Sequence, residues 1–182
     1  EIKMIDRLMD RIEKMENRQV ILNHDQIQQK LRRIACQIYE DNINEKSIYI
    51  AGIARSGYVM AAKLRDIILE RYPLKVIMLE VIVDKSNPLY PTIKGIDNTA
   101  LLKNKVVIIV DDVLNSGKTL IHSLRPFLEA DAKKISTALL VDRDHKRYPV
   151  ATDFVGLTLS TTNHEHIVAD LKKGKKDVVY IS

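Results

Sequence analysis

The chain of 182 residues has one cysteine, no tryptophan and only 5% aromatic residues. A single cysteine, Cys36, excludes a disulfide framework within the chain and a cysteine-based zinc site, and it suits a reducing compartment. Because aromatic side chains are scarce, we do not expect a surface that binds nucleic acid by base stacking. No apolar run approaches the roughly 20 residues that a membrane-spanning helix needs, and charges interrupt the N-terminal segment too often for a secretory signal. We therefore expect a soluble cytoplasmic protein without a membrane partner.

The rest of the composition is that of a globular domain. Hydrophobic residues make up 46% of the chain and charged residues 29%, and the length suits one domain with a sizeable core. Lysine and arginine together number 29 against 24 aspartates and glutamates, which gives a formal net charge of +5. This mild excess favours an anionic partner, but it does not separate a phosphate from a nucleic acid.

The N-terminal segment has a pattern of its own. Ile5, Leu8 and Ile12 recur at helical spacing among equal numbers of basic and acidic residues, which predicts an amphipathic helix. Its apolar stripe could pack on its own domain or against a second subunit, and the sequence leaves both open. We divide the chain accordingly into a helical extension over residues 1–20 and one domain over residues 21–182.

Helical and strand patterns alternate along that domain. Asn23 and Gln26 have the spacing of a capping box at the start of a helix, and short apolar runs typical of buried strands follow. This alternation predicts an α/β fold with a mostly parallel central sheet flanked by helices. The predicted strands cover residues 47–53, 75–83, 105–110, 134–141, 152–155 and 177–181, and the later helices cover residues 57–71 and 117–130. Residues 84–98 are predicted to form a long functional loop.

The stretch that carries most chemical information is Val106–Leu120, VVIIVDDVLNSGKTL. An apolar strand brings Asp111 and Asp112 to its carboxyl end, where open parallel sheets bind ligands. The segment Asn115–Thr119 then leads into a helix, whose first N–H groups suit a phosphate, while the acidic pair suits sugar hydroxyls or Mg²⁺ through water. An Asp-Asp turn that only caps a helix is the alternative, but the position after a buried strand favours a sugar-phosphate site. The stretch is not a P-loop, because Gly117 is its only glycine.

Several segments resemble the type I phosphoribosyltransferases. Val110–Thr119, VDDVLNSGKT, is similar to their motif for phosphoribosyl diphosphate (PRPP), and Ile50–Leu64 resembles their first strand and diphosphate-binding loop. Residues 21–42 and 138–159 are similar to the PyrR branch, the pyrimidine-operon regulators with uracil phosphoribosyltransferase activity. The resemblance implies a type I phosphoribosyltransferase fold with a small C-terminal hood. It also implies transfer of phosphoribose from PRPP to a nucleobase, with uracil favoured.

The resemblance also implies roles for individual residues. Asp111 and Asp112 would bind the ribose hydroxyls of PRPP and, through water or PRPP itself, Mg²⁺. With Arg55 beside the leaving diphosphate, they form the implied catalytic group for a displacement at the anomeric carbon. The residues implied to wrap the 5-phosphate are Asn115, Ser116, Gly117, Lys118 and Thr119. Those implied to hold the diphosphate are Ala54, Arg55, Ser56 and Gly57, in a turn that usually contains a non-proline cis peptide.

Other positions bear on the base and on the flap of the family. Phe154 and Val155 stand where the base stacks and meets backbone groups, and Asp142 stands where hypoxanthine-type enzymes carry a lysine for a purine oxygen. Asn115 stands where the same enzymes carry an acid, and an asparagine cannot do acid–base work. Both departures argue against an ordinary purine enzyme. Residues 84–98 match the mobile flap, with its implied cations Lys85 and Lys94.

The chain also departs from the PyrR pattern. Arg55 stands one place earlier than the arginine of that pattern, with Ser56 in its place, and Cys36 replaces a histidine. Two basic surfaces, residues 30–33 and 145–147, leave RNA open as a second partner. A nucleotide-sensing, RNA-binding regulator with weak or no catalysis is therefore the alternative function. Dimers are common in the family, so we expect a homodimer or a higher homo-oligomer.

Overall fold

A computed structural model describes residues 18–84, 89–161, 165–172 and 176–181. The predicted N-terminal helix falls mainly on residues 1–17, outside the described residues. Within the described ranges the elements are β1 (Gln19–Leu22), α1 (His24–Asp41), β2 (Ser47–Ile53), α2 (Ser56–Arg71), β3 (Lys75–Ile82), β4 (Thr92–Lys94), a 3₁₀ turn (Thr99–Leu102), β5 (Val106–Leu114), α3 (Lys118–Glu129), β6 (Lys134–Asp142), β7 (Phe154–Thr158), β8 (Ile167–Asp170) and β9 (Val178–Ile181).

The predicted central sheet is confirmed. It has six strands in the order β4-β3-β2-β5-β6-β7, and all neighbours pair in parallel except β3 and β4. Successive side chains of a strand point to opposite faces, so Ile50 packs with α1 and α2, whereas Ala51 packs with α3. The sheet is thus covered on both faces, and the carboxyl ends of its parallel strands share one edge.

A second, smaller sheet forms the hood, in the order β1-β9-β8, with antiparallel pairing throughout. Gln19 pairs with Ile181 and Val20 with Tyr180, so residues 19 and 20 belong to a strand. The predicted helical extension, which reached residue 20, was wrong at this boundary. The reason is the long-range pairing with β9, which places Leu22 in the core at 4% exposure.

One buried carboxylate connects the hood to the helices of the main sheet. The side chain of Asp177, which has no solvent exposure, accepts from Lys63 Nζ at 3.0 Å and from Gln28 Nε2 at 2.9 Å. The backbone N–H of Asp177 donates to His24 Nδ1 at 3.1 Å. Both α1 and α2 therefore hold the strand β9 through polar contacts as well as packing.

Local signals predicted helix ends well. The capping box of α1 is present, since Asn23 Oδ1 accepts from Gln26 N at 3.0 Å and Gln26 Oε1 accepts from Asn23 N at 2.9 Å. In the described part of the chain, no helix is both long and apolar enough to cross a membrane.

Short strands were the main errors. Residues 92–94, predicted as loop, form β4 against β3, and β8 was not predicted at all. The predicted strand over residues 152–155 instead spans residues 154–158. Elements of three to five residues carry too few side chains for a period of two to stand out, so their pairing partners decide their structure.

Candidate active site

A cavity of about 490 Å³ opens at the carboxyl edge of the parallel sheet. The turn after β2, the end of β5 with its following loop, and the first turns of α3 enclose it. Its lining residues are Ile53, Ala54, Val83, Asp111, Asp112, Val113, Leu114, Asn115, Ser116, Gly117, Lys118, Thr119, Leu120 and His122. This is the place where open α/β sheets bind their ligands.

The carboxyl end of β5 extends beyond its pairing with β2 and lines the cavity. Pairing between the two strands ends at Gly52 and Val110, whereas β6 follows β5 as far as Leu114. The chain of β2 turns away at Ala54, whose N–H donates to the Val81 carbonyl at 2.8 Å. Beyond Val110, β5 therefore pairs on one side only, through Asp111, Val113 and Leu114 with β6. The sequence prediction ended this strand at residue 110, because the two acids that follow have low strand propensity.

The turn after β2 approaches the end of β5 closely. The peptide bond between Ala54 and Arg55 is cis, as the resemblance predicts, and Arg55 is exposed just before α2. A Cβ added at Gly57 would lie 2.7 Å from the Val110 carbonyl oxygen and 3.1 Å from Asp111 Oδ1. Only glycine allows the start of α2 to sit this close to the acidic pair.

Asp111 and Asp112 form a closely spaced acidic pair in the cavity. Asp111 Oδ1 accepts from the N–H of Asp112 at 2.9 Å. Burial raises the pKa of Asp111 well above its usual value, and the neighbouring Asp112 carboxylate raises it further. A cation or a hydroxyl donor in the cavity would favour the ionised form of this pair.

These carboxylates fit Mg²⁺ only as part of a shared site. Their oxygens are hard ligands of the kind that Mg²⁺ prefers. Among the described residues, no group of three or more His, Cys, Asp or Glu side chains could hold a metal. A bound Mg²⁺ would therefore need further oxygens from water or from a ligand.

Ser116 anchors the loop between β5 and α3 through its backbone and its side chain. Its carbonyl oxygen accepts from the N–H groups of Arg147 at 2.9 Å and Tyr148 at 3.1 Å. Its hydroxyl accepts from Lys118 N at 3.3 Å. The loop is thus held by the turn that follows β6, a segment about 30 residues further along the chain.

Gly117 gives the loop its shape. Its φ of +82° lies in the left-handed region, and an added Cβ would meet Val150 Cγ2 at 2.8 Å. No side chain caps the start of α3 at the next residue. Ser116 Oγ reaches only Lys118 N, at the long distance of 3.3 Å. The next N–H groups of the first turn suit an anion in the cavity, which the positive end of the helix dipole also favours.

The comparisons with known proteins agree with this geometry. A family model described as "Phosphoribosyl transferase domain" matches residues 17–173. The chain belongs to the phosphoribosyltransferase family. It is a PRPP-dependent transferase of a pentosyl group.

Two relatives of this phosphoribosyltransferase carry the name "Bifunctional protein PyrR". The one from Bacillus pumilus is 31% identical over 177 residues, which cover 92% of this chain and 98% of the relative. The one from Fusobacterium nucleatum is 33% identical over 172 residues, covering 89% and 97%. The hypoxanthine phosphoribosyltransferase of Trypanosoma cruzi matches the fold with a TM-score of 0.71 at 14% identity, over 88% of this chain and 95% of that one.

Most residues predicted for PRPP meet in the cavity of the phosphoribosyltransferase. Those that line it are Ala54, Asp111, Asp112, Asn115, Ser116, Gly117, Lys118 and Thr119. Arg55, Ser56 and Gly57 follow Ala54 in the turn and the start of α2, but are not among the described lining residues. Their predicted roles toward diphosphate are not tested by this geometry and stay predictions.

The two flap cations differ in position. Lys85 lies outside the described residues. Lys94 ends β4 and pairs in register with Glu80, two residues before the end of β3. Because β4 runs antiparallel to β3, it carries Lys94 back from the carboxyl edge, and Lys94 is not among the described residues that line the cavity.

The three residues predicted to meet the base lie elsewhere in the fold. Asp142 is 3% exposed and accepts from Lys146 Nζ at 3.0 Å and from the Thr152 hydroxyl at 3.2 Å. Phe154 is 7% exposed and packs in the core with α1 and α2. The Val155 carbonyl already accepts from Arg33 at 2.9 Å. None of the three is among the described lining residues, so their predicted contact with a base stays a prediction.

Sequence reasoning missed two polar residues at this site. His122 lines the cavity one helical turn after Lys118, and this i, i+4 spacing on one helix face was the available signal. Arg143 contacts Asn115 from the end of β6. The sequence signal for this contact was weaker, because predicting it requires knowing that β6 lies next to β5 in the sheet.

Proposed function

We propose that this phosphoribosyltransferase transfers phosphoribose from PRPP to uracil, forming the nucleoside monophosphate and releasing diphosphate. One observation carries the proposal: the same cavity is lined by the Asp111–Asp112 pair, the start of α3 and the turn at Ala54. These three features suit the hydroxyls, the 5-phosphate and the diphosphate of PRPP, respectively. The similarity to proteins named PyrR supports a pyrimidine base.

The reaction would be a displacement at the anomeric carbon of PRPP. The bond to the diphosphate oxygen breaks, the bond from the base nitrogen forms, and positive charge develops on the ribose. Asp111 and Asp112 hold the ribose hydroxyls and present negative charge to the developing cation. The loop from Asn115 to Thr119 holds the 5-phosphate through backbone N–H groups and hydroxyls, so the anomeric carbon is positioned for attack.

The leaving diphosphate would be received at the turn after β2. The Arg55 guanidinium and the backbone N–H groups near the start of α2 face increasing negative charge as the bond breaks. Mg²⁺, when bound with PRPP and the two carboxylates, would neutralise part of that charge. No residue has to act as a strong general base, which agrees with an asparagine at position 115.

The proposal is tested by incubating the protein with PRPP, Mg²⁺ and each of a panel of bases, and measuring diphosphate release. We expect release with uracil and the formation of UMP. Asp111→Asn with Asp112→Asn should weaken PRPP binding by about a hundredfold, because two ligand-facing charges are lost. Asp131→Asn is the matched control, since Asp131 is exposed near the opposite edge of the sheet. No calorimetric binding of PRPP with Mg²⁺ to the unchanged protein would refute the proposal.

A nucleotide-sensing RNA-binding regulator is the second candidate, favoured by the word "Bifunctional" in the names of the relatives. Some of the basic side chains considered for RNA binding have partners within the protein. Arg33 donates to the carbonyls of Val155 and Gly156, and Lys146 pairs with Asp142. The test is nucleotide-dependent and salt-sensitive binding to leader RNA.

We also propose a homodimer or higher oligomer, which sedimentation equilibrium would detect.

A further inference from the structure

Arg143 is a largely buried cation that binds three separate segments. It is 8% exposed. Its Nη1 donates to Asn115 Oδ1 at 2.8 Å, its Nε to the Thr161 hydroxyl at 2.9 Å, and its Nη2 to the Glu165 carbonyl at 2.6 Å. It therefore connects the loop of the active-site cavity to the chain that enters the hood.

The contact with Asn115 decides how that amide is oriented. A guanidinium has only donors, so the group that faces it must be the amide oxygen. The NH₂ group of Asn115 lies in the same plane and must then point away from Arg143. In the part of the chain that the structure describes, no acceptor is hydrogen-bonded to Nδ2, and Asn115 lines the cavity.

We propose that Arg143 is a positioning residue that holds the Asn115 NH₂ group as a hydrogen-bond donor toward the base. The inference rests on the proposed transfer to a nucleobase, and it assigns the choice of base to the Asn115 NH₂ group. A base with an acceptor oxygen beside its attacking nitrogen, such as O2 of uracil beside N1, would satisfy the donor. A base with a protonated ring nitrogen at that place would meet a donor instead of an acceptor.

Two observations favour the base over the phosphate as the partner of this donor. Asn115 is tied through Arg143 to Thr161 and Glu165, which lie between β7 and the hood strand β8, whereas α3 begins three residues further along the loop, at Lys118. Asn115 also lies between the acidic pair and the start of α3 in the chain. The ligand atoms within its reach are therefore those near the bond that forms between ribose and base.

Asn115→Asp separates the donor from its structural role. An aspartate keeps an acceptor for Arg143, and the contact becomes charge-assisted, so the melting temperature should stay the same or rise. It has no donor for the base. We expect kcat/KM for uracil to fall by about tenfold to a hundredfold, a larger factor than any accompanying rise in the Kd for PRPP. Use of 2-thiouracil, whose sulfur is a weaker acceptor, should fall less than use of uracil.

Arg143→Lys tests the positioning step. A lysine keeps the charge but cannot serve three partners from one planar group, so the same fall in kcat/KM for the base should appear in a milder form. If Asn115→Asp retains kcat/KM for the base, or if the Kd for PRPP rises instead, the inference is overturned. A wild-type protein that does not use uracil would refute the proposed substrate, and the same comparison is then made with the base it does use.

Discussion

Substitution of Gly117 by alanine should weaken PRPP binding through the shape of the phosphate loop. A non-glycine residue in the left-handed region costs about 1–2 kcal/mol. The new Cβ would also lie 2.8 Å from Val150 Cγ2, and forcing an extra carbon into packed space costs about 1–3 kcal/mol. The loop can relieve this total of about 2–5 kcal/mol only by leaving the conformation that exposes the first N–H groups of α3. We expect the Kd for PRPP to rise at least about tenfold, which corresponds to 1.4 kcal/mol.

The two causes can be separated by calorimetry and thermal unfolding. Adding Val150→Ala makes room for the Cβ, so the double variant should regain the steric part of the loss and keep the cost of the positive φ. Asn104→Ala is the control: Asn104 has a φ of +58° before β5, at the far edge of the sheet. It should lower stability by about 1 kcal/mol and leave PRPP binding unchanged. The reasoning is refuted if Gly117→Ala binds PRPP as tightly as the wild type.

Three further changes test the electrostatics and anchoring of the fold. Because the pKa of Asp111 is raised in the folded state, its ionisation opposes folding, so stability falls as pH rises through the folded-state pKa. Without ligand, Asp111→Asn should therefore have a higher melting temperature than the wild type at pH values above the folded-state pKa of Asp111. This difference in melting temperature should vanish below about pH 4, and a difference independent of pH would contradict the reasoning. Lys63→Met leaves the buried Asp177 carboxylate without its cation and should cost about 3 kcal/mol in urea unfolding, whereas Lys103→Met, in an exposed pair, should cost less than about 1 kcal/mol. Arg33→Met removes two charge-assisted hydrogen bonds to carbonyls of β7 and should cost about 2 kcal/mol, measured by the same unfolding curves; no loss of stability would show that these bonds contribute nothing.

The parts of the site that could be predicted from the sequence are those encoded locally. The run from Val106 to Thr119 contains a buried strand, two acids, a glycine and a helix start in one continuous segment, and all of these meet in the cavity. The capping box at Asn23 and Gln26 is likewise a four-residue signal. In each case the residues that define the feature are neighbours in the chain.

The parts that could not be predicted depend on distant partners. The contacts of the Asp142 carboxylate with Lys146 and Thr152, in the turn after β6, were not predicted. Arg143 contacts Asn115 across 28 positions, and this proximity follows from the register of β5 and β6. Strand β1 exists because β9 pairs with it. None of these contacts can be recognised from the sequence of one of the two contacting segments alone.

The one-sided pairing at the end of β5 bears on how the ligand-free protein avoids aggregation. A strand with unpaired N–H and C=O groups is a template on which another chain can add a strand and begin to aggregate. Here the open stretch is only four residues long, and it begins with Asp111 and Asp112. Charges and short length are the means by which natural sheets protect such edges. The same two carboxylates that suit a sugar ligand would thus also keep an empty site from recruiting a neighbouring strand.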